Sequence, residues 1–296
     1  MQDAYSALDT FCSIRKAEGL AERTIGLYRT TVAPFLRNYP DFLESPRSTV
    51  IDYVTAPSNP WTRFTRIKVL KVFCKFLLEE GVINKDPLKG IKNPMPQTKI
   101  VCPEMETVQA FLKSLNSKVY GEMRLRCVIL LAVDSGLRLG EICGLKRSDL
   151  DMDNMLITVQ AETSKSRRKR VVPVSPQVVK ELYRFMIACS KNWESEWMFP
   201  TETGEYMKPA SLGLSIRRIS NKTGIKLKMH GLRHLCATEF LRQTGNIALT
   251  AQLLGHTNIT VTSKFYEHLN ITDLQQAHSH ATPIRSILSN KRIRKI

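Results

Sequence analysis

The stretch from His230 to Tyr266 gathers side chains suited to work on an oxyanion. It reads His230-Gly231-Leu232-Arg233-His234, then Leu254-Gly255-His256, then Phe265-Tyr266, with Glu267-His268 just after, and together with His268 it holds four of the chain's six histidines. His230 and Arg233 are three apart and His230 and His234 four apart, offsets that share one face of a helix. Tyr266 follows His256 by ten residues, enough to lie on a separate short element. An arginine offers planar, permanently charged donors to a phosphate, a histidine donates or shuttles a proton, and a tyrosine hydroxyl can attack. Upstream, Gly136-Leu137-Arg138-Leu139-Gly140-Glu141 adds a second arginine. Thr163-Ser164-Lys165-Ser166-Arg167-Arg168-Lys169-Arg170 adds a lysine between two strand-like runs.

Taken in order, Arg138, Lys165, His230, Arg233, His256 and Tyr266 resemble the residue set of the tyrosine recombinases, the phage integrase family. Each motif alone is weak; six residues of the right types in the right order, over roughly the last two-thirds of the chain, carry the resemblance. A phosphodiester resists attack because its charge repels nucleophiles, so a catalyst must neutralise the non-bridging oxygens, supply a nucleophile and protonate the leaving oxygen. Arg138 and Arg233 fit the first role, Tyr266 the second, and His230 and Lys165 proton transfer. The resemblance sharpens these roles. It implies a 3′-phosphotyrosine on Tyr266 and a freed 5′ hydroxyl, with Lys165 as general acid and His230 assisting as acid or base. His256 would hydrogen-bond the scissile phosphate and Glu141 would support the site, with no metal or other cofactor. It also implies double-stranded DNA carrying specific recombination sites as partner, four protomers on two sites, and accessory bending or directionality factors as candidates. Lys169 competes with Lys165, but a lysine five residues before Arg170-Val171-Val172-Pro173 favours Lys165. Tyr183 and Tyr206 compete with Tyr266 from outside the histidine-rich region.

The elements that must position these residues are mostly helical. Helices are expected over 2–18, 21–38 (with Pro34 kinking or shortening it), near Thr49–Val54, and over 61–80. The last buries Ile67, Leu70, Phe73 and Leu77 and displays Arg63, Arg66, Lys68, Lys71 and Lys75. Its basic residues read either as a solvated face or as phosphate contacts. Asn84 to Lys99, with Asp86-Pro87, Gly90, Asn93-Pro94, Pro96 and four lysines, reads as a linker. Further helices are expected from Pro103 to Leu115, Glu122 to Asp134, Leu139 to Leu145, 176–189, 208–222, Gly231 to Gln243 and Ile247 to Leu254. Leu156–Val159 and Val171–Val174 read as strands. The expected fold is thus mainly α with a small β-sheet. Its parts are a helical core-binding, DNA-clamping domain over 1–83, a linker over 84–99, an α+β catalytic domain over 100–272, and a tail over 273–296 exchanged between protomers. No arm-binding domain is expected ahead of the first helix.

Composition agrees. The formal charge of +17 points to a polyanionic partner, most simply nucleic acid. Residues 1–93 carry a net +4 and residues 94–296 a net +13, so the suspected chemistry sits in the more basic part. Arg167, Arg168, Lys169 and Arg170 would repel each other unpaired and would be stabilised beside phosphates. Seven irregularly spaced cysteines without a CxxC pair read as small buried hydrophobes in a reducing cytosol. No signal peptide and no membrane-spanning run are expected, which makes a cytoplasmic, nucleoid-associated protein the expectation.

Three other readings compete. His230 and His234 have the spacing of a helical zinc pair, but no glutamate follows the first histidine and no further ligand cluster completes it. A non-catalytic DNA-binding protein of the same fold would be expected to have lost part of the six-residue set. A type IB topoisomerase would share the chemistry, but the short chain and the tight hairpin-to-histidine spacing favour a recombinase. The combined reading is a site-specific recombinase or integrase, of the kind that moves mobile elements, resembling Xer and integrase proteins.

Overall fold

The computed structural model describes residues 4–44, 46–97, 101–164, 168–189, 194–256, 258 and 260–263. The chain divides into two compact units, Met1–Lys99 and Ile100–Ile296. Lys165, Arg167, Tyr266 and the 273–296 tail lie outside the described residues.

The first unit is helical: α1 (Ala4–Ala17), α2 (Glu22–Asn38), a 3₁₀ turn (Pro40–Leu43), α3 (Pro46–Thr55) and α4 (Pro60–Glu79). Its core forms because aromatic residues at helical spacing meet one another. Phe11, Phe35, Phe42 and Phe73 have no accessible surface, and the Phe11 and Phe73 rings meet edge to face at 5.5 Å. α2 runs on through Pro34 to Asn38. Burial of Val32, Phe35 and Leu36 holds its last turn to the core and outweighs the lost backbone bond. α4 opens on Asn59, whose side chain accepts from the Trp61 and Thr62 amides, with Pro60 at the first helical position.

The expected linker is in its first ten residues part of this unit. Leu88 is buried. Arg47 donates to the carbonyls of Pro87 and Lys89, Lys71 Nζ donates to Ile91 O at 2.7 Å, and Asn93 donates to Phe64 O. Proline and lysine content marked an irregular segment, but side chains of α3 and α4 satisfy its carbonyls and one leucine anchors it.

The second unit holds α5 (Met105–Lys113), α6 (Tyr120–Ser135), α7 (Leu139–Cys143), β1 (Leu150–Asp151), β2 (Leu156–Val159), β3 (Arg170–Pro173), α8 (Pro176–Ala188), α9 (Pro209–Thr223), α10 (Met229–Thr244), α11 (Ile247–Leu254) and α12 (Thr260–Ser263). The strands form one antiparallel sheet in the order β1-β2-β3, with Val159 opposite Arg170. α6 and α10 pack on each other, and both are buried along much of their surface. α6 buries Leu125, Val128, Ile129, Leu131 and Ala132, and α10 buries Leu232, Leu235, Ala237 and Leu241. Buried on both sides of their contact, these two helices form the frame on which the polar groups below are hung. Six of the seven cysteines are buried, and burial pushes the thiols of Cys74, Cys127, Cys143 and Cys236 up to about 12. Among the described residues no helix is long and apolar enough to cross a membrane.

If residues 84–93 belong to the first unit, Leu88→Ala should destabilise the full chain by about 2–5 kcal/mol, as expected for a leucine truncated in a core. Denaturant titration measures this; a free tether would give a change within about 0.5 kcal/mol.

Candidate active site

The site begins with a buried charge. Arg233, on the second turn of α10, is 5% exposed. Its Nη1 donates to Gly136 O at 2.5 Å, and its Nη2 donates to Leu254 O at 2.8 Å and to His256 Nε2 at 2.9 Å. The two carbonyls lie at the ends of α6 and α11. The last carbonyls of a helix have no partner inside it and carry the negative end of its dipole. The chain thus directs two helix C-termini onto one guanidinium. Both ends turn on a glycine in the left-handed region, Gly136 at φ +63° and Gly255 at φ +66°. A Cβ on Gly136 would stand 2.6 Å from Leu254 Cδ2, and one on Gly255 2.8 Å from Arg170 Nε. Burial, then Arg138, lowers the Arg233 pKa to about 9, which leaves it charged at neutral pH. A guanidinium has five N–H groups. Three are used here, so Nε–H and one Nη1–H remain for an incoming anion.

His256 follows the α11 cap, its amide bonded to Ala251 O. Arginine can only donate, so His256 Nε2 is the bare nitrogen. Nδ1 therefore carries the proton and donates to Thr262 Oγ1 at 2.8 Å. Burial, then Arg233 and Arg138, lowers its pKa to about 4. The ring is neutral at physiological pH.

Arg138 caps the start of α7. Glu141, 1% exposed, accepts from the Arg138 amide and Nη1, both at 2.9 Å. The same carboxylate takes both ends of Arg170, at 3.1 and 2.8 Å. Burial alone would raise the Glu141 pKa; the Arg170 hydrogen bonds and charge, then Arg138, bring it below the usual value. One carboxylate is therefore shared by two guanidiniums, and the cluster keeps a net positive charge. Arg138 remains 30% exposed and Arg170 13%. His230, on the first turn of α10, is exposed. Burial of its ring, then Arg233 and Arg138, lowers its pKa. Its Nε2 lies 2.8 Å from Nε2 of His234.

The fold thus brings Arg138, Glu141, His230, Arg233 and His256 within electrostatic reach of one another, from α7, α10 and the α11 cap. Lys165 and Tyr266 lie outside the described residues, as does Arg167. Arg168 and Lys169 are exposed just ahead of β3, and Arg63 and Lys71 are exposed on α4. Arg66 lies over the Tyr53 ring at 3.8 Å and donates to Tyr53 O at 2.6 Å, so part of its side chain serves packing. Arg170 has a second role. A candidate phosphate contact, it also bonds the buried carboxylate of Glu141 through both terminal nitrogens and keeps 13% of its side chain exposed. Of the competing tyrosines, Tyr206 packs edge-on against Trp197 and Tyr183 stands on the exposed face of α8. The two nitrogens of the zinc-like pair bond each other, and among the described residues no group of three His, Cys, Asp or Glu could hold a metal. Sequence reasoning missed three partners: the Gly136 and Leu254 carbonyls, and Thr262. A glycine directly after each of α6 and α11 was the available signal for the carbonyls; nothing singled out Thr262.

The phage integrase family matches residues 104–272. A tyrosine recombinase of Thermosipho africanus is 30% identical over 220 residues, 72% of this chain and 70% of that one. A tyrosine recombinase XerC of Myxococcus xanthus is 28% identical over 208 residues, 67% of this chain and 68% of its own. The fold is similar to that of a lambda integrase tetramer bound to a Holliday junction, with TM-score 0.71, 19% identity, and 88% and 76% of the two chains covered.

Two outcomes follow from the electrostatics. Glu141→Gln leaves two close guanidiniums without their counter-charge and should destabilise the chain by about 3–5 kcal/mol; urea denaturation reads it. The depressed His256 pKa means that the unfolded chain binds a proton below about pH 6.5 which the folded chain refuses until about pH 4. His256 therefore contributes stability that is present above pH 6.5 and is lost as pH falls toward 4. A Tm profile of His256→Gln should be flatter than wild type across that window, and parallel profiles would refute the assignment.

Proposed function

The chain belongs to the phage integrase family, and from that premise we propose that it is a site-specific tyrosine recombinase whose cleavage centre is Arg138, Lys165, His230, Arg233, His256 and Tyr266. The observation that carries this reading is the Arg233–His256 pair, held by two helix ends beside Arg138 and retaining N–H groups for an oxyanion. Double-stranded DNA is the substrate. Arg138 and Arg233 would bind the non-bridging oxygens, where fixed donors in a partly buried site stabilise the charge that grows during attack. His256 would hydrogen-bond the same phosphate. Glu141 would hold Arg138 rather than touch the substrate.

In the proposed step, Tyr266 Oη attacks phosphorus, its proton passes to His230, the P–O5′ bond breaks, and Lys165 protonates the 5′ oxygen. His230 suits a base because burial and its two arginine neighbours favour its neutral form. The 3′-phosphotyrosine keeps the phosphodiester bond energy, so a 5′ hydroxyl from another strand reseals it by the reverse proton transfers. No cofactor enters this balance. The assembly proposed is a tetramer on two sites, with the 273–296 tail packing on a neighbouring protomer; the lambda integrase of similar fold is a tetramer on a Holliday junction. The 1–83 segment would clamp DNA through Arg63, Lys71 and neighbouring basic residues, while Arg167, Arg168 and Lys169 reach phosphates beside Lys165. Accessory factors that set direction belong to the same proposal.

The test uses duplex sites selected from random-sequence DNA by binding to the full chain, then nicked so that cleavage is trapped. A covalent protein–DNA adduct is expected with wild type and none with Tyr266→Phe. Arg233→Lys should lower the cleavage rate at least about 100-fold, within the range for loss of one fixed oxyanion donor, while changing DNA affinity far less. Equal loss of binding and cleavage would reduce Arg233 to an anchor, and an adduct surviving Tyr266→Phe would sink the nucleophile assignment.

A further inference from the structure

His230 and His234 sit one turn apart on α10, the first exposed, the second 8% exposed. Side chains on a helix lean toward its N-terminus, so His234 lies over the turn that carries His230. The rings stand nearly perpendicular, at 83° with centroids 4.3 Å apart, and their Nε2 atoms are 2.8 Å apart. At that distance two ring nitrogens share one proton: one is the N–H donor and the other the bare acceptor. Whichever direction holds, Nε2 of His230 is engaged, and Nδ1 is its only ring nitrogen left to exchange a proton with substrate.

We propose that His234 is a positioning residue for strand cleavage: it holds His230 through Nε2, fixes the ring, and sets which protonation state Nδ1 presents. This rests on the reading of His230 as the acid–base residue. His230 works beside Arg138 and Arg233, two positive groups that oppose its protonation. When Nδ1 takes the tyrosine proton, His230 carries N–H on both nitrogens. A His234 with its own proton on Nδ1 then accepts from His230 Nε2–H, a charge-assisted bond that offsets the repulsion. One proton moves, from tyrosine Oη to His230 Nδ1, and none leaves the histidine pair. On resealing it returns to the tyrosine.

The experiment compares His234→Gln, whose amide reaches the place of Nε2, with His234→Asn, whose amide falls short of it. His230→Ala and the His230→Ala/His234→Asn double variant serve as references. The full chain is assayed on the nicked DNA sites, and the His230 ring nitrogens are followed by ¹⁵N NMR in the DNA-free protein. His234→Asn should slow single-turnover cleavage roughly 10–100-fold, inside the ~10²–10⁴ that acid–base catalysis supplies. It should also shift the His230 ring ¹⁵N signals. His234→Gln should restore most of the rate and the wild-type signals, and the double variant should be no slower than His230→Ala. Wild-type rates in His234→Asn with a slow His230→Ala would overturn this proposal alone. Wild-type rates in His230→Ala would overturn the acid–base reading and this proposal with it. Equal slowing by Asn and Gln with unmoved ¹⁵N signals would assign His234 a purely structural role.

Discussion

The second unit depends on one problem of burial, a permanent positive charge inside an apolar frame. An ion taken out of water must be met by dipoles or counter-charges already in place, or the fold does not form. For Arg233 they are mainly dipoles: the carbonyls of Gly136 and Leu254, plus a neutral histidine nitrogen. This solution fixes the lengths and ends of α6 and α11, demands a left-handed turn after each, and aligns α10 between them. Glu141 cannot serve as the sole counter-charge, because it is already shared by Arg138 and Arg170. The net positive charge left over is what an incoming phosphate would meet.

The same arrangement explains the neutral histidines. At the candidate site His256 faces three guanidiniums and His230 two, and each neighbouring charge disfavours another proton. Groups that must donate or accept hydrogen bonds near neutral pH are held in their uncharged forms first by the partial burial of their rings and then by the arginines.

Much of this was legible in the sequence, for physical reasons. The α6 and α10 helices were visible because apolar residues recur at helical spacing, and β2 and β3 because two β-branched runs flank a polar stretch, which by itself left hairpin and longer loop equally open. Arg138, His230, Arg233 and His256 could be singled out because their chemistry is rare in such close order. Partnerships were not legible. Arg170 stands in a run of like charges that reads as a DNA-facing patch, and only the depth of Glu141 distinguishes it. Residues 84–93 read as a tether because composition reports the absence of regular structure and not the absence of packing, which here rests on Leu88 and two donors from α3 and α4. The Nε2–Nε2 contact of His230 and His234 shares its spacing with a zinc pair and differs only in where the nitrogens point.

The ion pair between Arg170 and Glu141 also bears on how the hairpin finds its alignment. β2 and β3 pair over only four positions, and Arg170 is the last of them, opposite Val159. A slip of one residue in a strand sends every side chain to the other face. Here it would swing Arg170 away and leave Glu141 buried with half its counter-charge gone, a penalty of several kcal/mol. So short a ladder has little pairing energy of its own with which to reject the shifted alignment. The buried carboxylate acts as a proofreader for the strand: it admits the one register in which the arginine arrives, and with it sets the point at which the chain carrying Lys165 joins the sheet.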